Sequence, residues 1–308
     1  MKISIIRTSI IYIVLVCASY IVSSTLCFGQ VFHPQEPTSL HYKELQQYSS
    51  LPQNRSALDT LKFPLHEANE TGLTYTLCQT YYLSKQQVNT LKEAVTYPSN
   101  SSVQTRAELD YLLKLQAQRT PEQEKRVLLL ADIGYLPHLN LLTNHPQHND
   151  QLKDLFFEGR TILGYWCSVE NFPRLGLLLK NAMLDMRVIE FSVKYTHLRP
   201  RPYHLEPRLQ PMARMQSPSF ASGHTLWAFL QAYLWSEIVP TKRAAFLEFA
   251  EEIRQSREIM GIHYPSDNET ARILSYKMIT LFMKNKKFAQ DLRNAKTEWQ
   301  AKSLVLQK

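Results

Sequence analysis

Strict alternation of apolar and polar positions is rare along this chain, so the pattern predicts helices rather than half-buried strands and hairpins. The sharpest start signal is Thr120-Pro121-Glu122-Gln123, which offers an N-cap, a proline at the first helical position and a capping-box glutamine ahead of the apolar run VLLLADIGYL. Further helices are expected over about 150–163, 174–195, 222–239, 241–260 and 266–283. Between them NHPQHN, residues 144–149, reads as a linker. Five prolines (Pro200, Pro202, Pro207, Pro211 and Pro218) make residues 198–221 a non-helical excursion between two strong helices. Residues 30–100 are rich in Pro, Ser, Gln and Tyr and show little sustained period. With only 8 glycines in 308 residues, the fold class expected is all-α.

The first 29 residues differ from the rest. Lys2 and Arg7 precede the apolar stretch SIIYIVLVCASYIVSS, and small residues follow around Cys27 and Gly29, the order of a signal peptide. An uncleaved anchor is the competing reading, since the run approaches the length of a bilayer span. The organisation expected is therefore a signal peptide over 1–29, an N-terminal arm with irregular and helical segments over 30–119, a helical core over 120–290 and a C-terminal tail over 291–308. Export implies a periplasmic or secreted protein without membrane attachment after cleavage.

Composition narrows the partners. The chain is basic, with a formal charge of +8 that falls to +6 when residues 1–29 are removed. It has no long Lys/Arg block and no basic stripe interleaved with aromatics, so nucleic acid is excluded as the expected partner in favour of anionic small molecules. Of four cysteines, Cys78 and Cys167 lie outside the export segment; their spacing gives no zinc site, and whether they form a disulfide is left open.

The chemistry gathers around the proline-rich excursion. Lys194 falls in the last turn of the helix before it, and Arg201 follows within HLRPRPYH. At its far end stands ASGHT, where Ser222 and Gly223 open the next helix and His224 follows. A helix N-terminus presents unpaired N–H groups and partial positive charge, and a glycine there lets an anion approach the backbone, which makes a phosphate cradle. In SREIMGIHYPSDNETAR, Arg257 lies near the end of a helix stopped at Gly261, His263 sits in the joint, and Pro265 suits the first position of the next helix. Asp267, in that helix's first turn, is placed to fold back on the imidazole. A carboxylate on one ring nitrogen leaves the other as a lone-pair nucleophile.

The ordered set Lys194…Arg201-Pro202, Ser222-Gly223-His224 and Arg257…His263…Asp267 resembles the phosphatidic acid phosphatase type 2 (PAP2) superfamily, most of all the bacterial class A non-specific acid phosphatases, over a motif region of 74 residues. The resemblance implies a helical bundle core of the PAP2/vanadium haloperoxidase type. It implies a phosphate clamp of Lys194, Arg201 and Arg257 with donors from Ser222 and Gly223, His263 as nucleophile, Asp267 as its orienting group and His224 as the acid. It further implies a metal-independent phosphomonoesterase of broad specificity without a cofactor, working through a phosphohistidine on small-molecule phosphate monoesters, and a homo-oligomer. The alternatives are a vanadate-dependent haloperoxidase and a membrane-associated lipid phosphatase. One departure is visible: the family's proline before Ser-Gly-His is replaced by Ala221, with Pro218 three residues earlier.

Overall fold

The computed structural model describes residues 56–132 and 154–306, all within one compact unit, Thr38–Lys308; the unit Met1–Pro37 and the linker expected at 144–149 lie outside the described residues. No strand occurs among the described residues, and the class is all-α. In chain order the helices are α1 (Glu70–Leu77), α2 (Lys85–Glu93), α3 (Val103–Gln118), α4 (Pro121–Ala131), α5 (Phe157–Leu163), α6 (Pro173–His197), α7 (Pro202–Leu205), α8 (Gly223–Ile238), α9 (Arg243–Ile259), α10 (Pro265–Met283) and α11 (Lys286–Leu306). None of them is long and apolar enough to cross a membrane.

Every residue of α8 is buried, and its sequence GHTLWAFLQAYLWSEI is apolar on all sides. A helix without a polar face belongs in the centre of a bundle, and α6, α9 and α10 pack around this one. Two of its polar side chains donate within the bundle: Gln231 to the Leu155 carbonyl at 3.2 Å, and Thr225 to Asn268 of α10 at 2.8 Å. Asn268 donates in turn to Glu258 of α9 at 2.9 Å, and Glu258 pairs with Arg254. This buried chain fixes the rotation of three helices about one another, as a fully paired polar network does.

Two expectations from sequence change in the structure. Residues 56–119, read as part of an arm, form α1 to α3 and dock on the core. The carboxylate of Asp185, in the middle of α6, accepts the backbone N–H groups of Tyr81, Tyr82 and Leu83. Residues 291–306, read as a tail, continue α11. Its Trp299 packs against Phe172 and Trp166, and its Glu298 accepts the first-turn N–H groups of Arg174 and Leu175, at 3.0 and 3.2 Å, where a carboxylate complements the helix dipole. Cys78 and Cys167 are both free thiols.

Candidate functional site

The excursion between α6 and α8 is what assembles the site. Helix α6 ends at Leu198, whose φ of 50° is left-handed, and the prolines on either side of Arg201 keep the chain from resuming a long helix. Lys194, one turn before that end, is buried. Its Nζ donates to the Pro218 carbonyl at 2.7 Å, so the excursion folds back on the helix that launches it. Burial, and then the neighbouring Arg201, push its ammonium down to about 7.

Arg201 is spread over three partners. Nε and Nη2 donate to the carbonyl and hydroxyl of Ser217 at 2.8 and 3.1 Å, and Nη1 donates to the Ile262 carbonyl at 2.9 Å. The same Nη1 lies 2.9 Å from His263 Nε2. A guanidinium has no acceptor, so Nε2 must present its lone pair. On the opposite side His263 Nδ1 donates to Asp267 Oδ2 at 3.2 Å. The ring is therefore held in one tautomer from both sides, proton on Nδ1 and lone pair on Nε2. Burial first, and Arg201 second, hold the imidazole well below its usual pKa.

Asp267 is the hub. Besides His263, its Oδ2 accepts the Ser219 hydroxyl and the Tyr264 N–H at 3.1 Å, while Oδ1 accepts Arg199 Nη1 at 2.7 Å. Burial alone would raise this carboxyl, but Arg199, His263 and Ser219 together hold it well below the usual range, so it stays ionised. Arg199 was not among the residues singled out from the sequence. It is fully buried, donates to Ser266 Oγ at 2.8 Å, faces Glu108 of α3 at 3.6 Å and stacks 3.8 Å from the centre of the Tyr264 ring. Glu108 accepts both N–H and hydroxyl of Ser266, at 3.1 and 2.8 Å, and burial pushes it up to about 7 against the pull of Arg199.

At the start of α8, Ser222 is the N-cap; its N–H reaches the Asp267 carbonyl at 3.3 Å and its hydroxyl donates to Thr225 at 3.0 Å. The peptide bond before Ala221 is cis. The anion that approaches Gly223 is the chain's own: a Cβ there would lie 2.0 Å from Glu190 Oε1. Glu190 stands one turn before Lys194 on α6 and pairs with Arg187 at 2.7 Å; Arg187 lies over the Trp227 ring.

His224 follows, with Nε2 at 2.9 Å from the Ala131 carbonyl. All eight residues read from the motifs are buried, and among the seven that carry a side chain His224, at 8%, is the most exposed. Arg257 donates from Nε and Nη2 to Ser256 Oγ at 2.9 and 2.8 Å and from Nη2 to the Val127 carbonyl at 3.3 Å. Burial, then Arg257, hold His224 well below its usual pKa, and His263 acts on it in the same direction. The two imidazoles, three cations and the α8 N-terminus thus form one closed electrostatic cluster. Two open surface cavities, of about 770 and 490 Å³, are lined by other residues.

Residues 175–291, which contain every residue of this cluster from α6 to α10, match the family model of the PAP2 superfamily. Over this segment the chain is similar to the PAP2 superfamily. It is 27% identical over 221 residues to a protein of Providencia stuartii named non-specific acid phosphatase, a match covering 66% of this chain and 89% of that one. The fold is similar to that in the crystal structure of a bacterial vanadium-dependent iodoperoxidase, with a TM-score of 0.52 and 14% identity; the match covers 74% of this chain and 62% of that one.

Four polar residues around the motif residues escaped the sequence reading: Arg199, Glu108, Glu190 and Arg187. Arg199 had a local signal, a second arginine two positions before the motif arginine and separated from it by Pro200. Glu190 and Arg187 sit four and seven residues before Lys194, the spacing of one helix face. Glu108 had none, since it reaches the site only through the docking of α3.

Proposed function

We propose that this protein is an exported, metal-independent acid phosphatase of the PAP2 superfamily that hydrolyses phosphate monoesters through a phosphohistidine on His263. The observation that carries the reading is the double-sided fixing of His263: Asp267 accepts its Nδ1–H, and Nε2 turns its lone pair to the cation cluster. A phosphate monoester brings up to two negative charges. Lys194, Arg201 and Arg257 together answer them, and electrostatic stabilisation of this kind is the largest contribution a protein makes to phosphoryl transfer.

In the first step the phosphoryl group passes from the ester oxygen to His263 Nε2. The P–O bond breaks, the P–N bond forms, and His224 gives its proton to the leaving oxygen. In the second, water attacks phosphorus, its proton goes to His224, and the P–N bond breaks to release phosphate. Arg201 occupies the His263 lone pair in the absence of substrate, and equatorial phosphate oxygens are the better acceptors to draw it off. Burial first and the cations second hold His224 neutral; the negative charge of a bound dianion offsets the cations, so substrate itself favours the protonated acid.

Export rests on the segment before residue 30, and broad specificity on the fact that every motif residue addresses the phosphate and none the alcohol. The same cations would hold vanadate, the oxyanion of the haloperoxidase reading. Phosphate release from a panel of monoesters, with and without EDTA, and trapping of an acid-labile phosphoenzyme test the proposal. Activity abolished by chelation, or bromide oxidation by vanadate and peroxide without ester hydrolysis, would overturn it.

A further inference from the structure

We propose that the last turn of α4 positions the acid: the Ala131 carbonyl holds the Nε2–H of His224, so that His224 works from Nδ1. This rests on the reading of His224 as the acid and goes beyond it.

The final carbonyls of an α-helix have no partner within the helix and carry partial negative charge. One of these, on Ala131, meets His224 Nε2 at 2.9 Å. A carbonyl only accepts, so Nε2 keeps its hydrogen whether the ring is neutral or charged. The proton that comes and goes is then the one on Nδ1. When it passes to the leaving oxygen, the imidazolium becomes a neutral ring still bonded through Nε2–H. When water attacks, the Nδ1 lone pair takes the proton back. The helix dipole supports the charged form, as it does for a histidine at a helix C-terminus.

The two histidines are therefore built as mirror cases. His263 is anchored through Nδ1 by a carboxylate and reacts at Nε2; His224 is anchored through Nε2 by a carbonyl and reacts at Nδ1. Helix α4 is held firmly enough for this task. Arg126 donates to both carboxylate oxygens of Glu252 on α9, at 2.6 and 2.8 Å, and Val127 is buried against Met260 and Ile262. The Val127 carbonyl, one turn before Ala131, accepts Arg257, so one helix end steadies both the acid and a clamp residue.

Nitrogen NMR of the full chain with labelled histidine tests the tautomer directly. Above its titration, neutral His224 is expected to show a protonated Nε2 and an unprotonated Nδ1; the opposite pattern overturns the proposal. Ala131→Pro tests the helix, because a proline ring there clashes with the Val127 carbonyl and kinks the last turn. It is expected to slow alkyl phosphate hydrolysis by roughly tenfold or more, a share of the 10²- to 10⁴-fold typical of general acid catalysis. Phosphoenzyme formation from nitrophenyl phosphate, whose leaving group needs no acid, should fall only by what loosening Arg257 at the Val127 carbonyl costs, and so by less than alkyl ester hydrolysis. Equal slowing of both esters overturns the role of α4. His224→Ala is the reference: if it does not separate the two esters, the acid assignment itself has failed. If it separates them and Ala131→Pro does not, the acid stands and the role of α4 falls.

Discussion

At the scale of single residues the site is a set of donors and acceptors with little slack, and substitutions that keep charge but change shape are the informative ones. Arg257→Lys replaces a forked contact by a point charge. A loss of about 2 to 3 kcal/mol in kcat/KM is expected, comparable to removing one preorganised donor; a change below threefold on a monoester would place Arg257 outside the pocket. Arg199 acts one shell out, on Asp267. Arg199→Gln leaves a buried carboxylate without its arginine partner, and a destabilisation of about 3 to 5 kcal/mol in denaturant unfolding is expected. In the folded variant, phosphoenzyme formation should fall while sulfate still binds, since the clamp residues are untouched. Sulfate affinity lost in parallel with turnover would make Arg199 part of the clamp instead.

At the scale of elements, the approach of α6 to the N-terminus of α8 decides what Gly223 is for. The glycine lets two buried helices come close enough for Glu190 to sit against the α8 backbone, and a side chain at 223 would displace that carboxylate. Gly223→Ala is expected to lower stability by about 1 to 3 kcal/mol through overpacking. In Gly223→Ala combined with Glu190→Ala the two losses should fall short of their sum, because the clash and its partner vanish together. Strict additivity in thermal unfolding would show that α6 and α8 do not compete for that space.

At the scale of the whole molecule, burial of the entire cation cluster sets its response to pH. The Lys194 ammonium is pushed down to about 7 by desolvation and Arg201, so in the empty site it loses its proton as pH rises through that value. An anion favours the charged form. Binding of sulfate, which does not itself titrate in this range, should therefore be strongest on the acid side and weaken by up to about tenfold per pH unit above 7, with uptake of a proton. Lys194→Arg keeps its charge throughout and should flatten that profile in calorimetry. An unchanged profile would assign the titration to another group.

The sequence by itself determined what local chemistry dictates. The capping box at Thr120, the prolines that open α6 and α10, and Gly261 at φ 70° after α9 set helix ends, because caps and breakers act within a few residues. The order of Lys194, Arg201, Ser222, Gly223, His224, Arg257, His263 and Asp267 was equally legible, since each falls at a helix end whose geometry faces the same excursion. Tertiary structure decided the rest. Residues 291–306 look solvated until Trp166 and Phe172 meet Trp299, and the segment before residue 100 looks loosely structured until Asp185 gathers the N–H groups of Tyr82 and Leu83. Glu108 and the Ala131 carbonyl come to the site from α3 and α4, more than ninety residues before their partners at the starts of α8 and α10. No periodicity encodes such pairs. A backbone carbonyl has no side-chain signature at all, and a buried ion pair exists only once packing has excluded water from both partners.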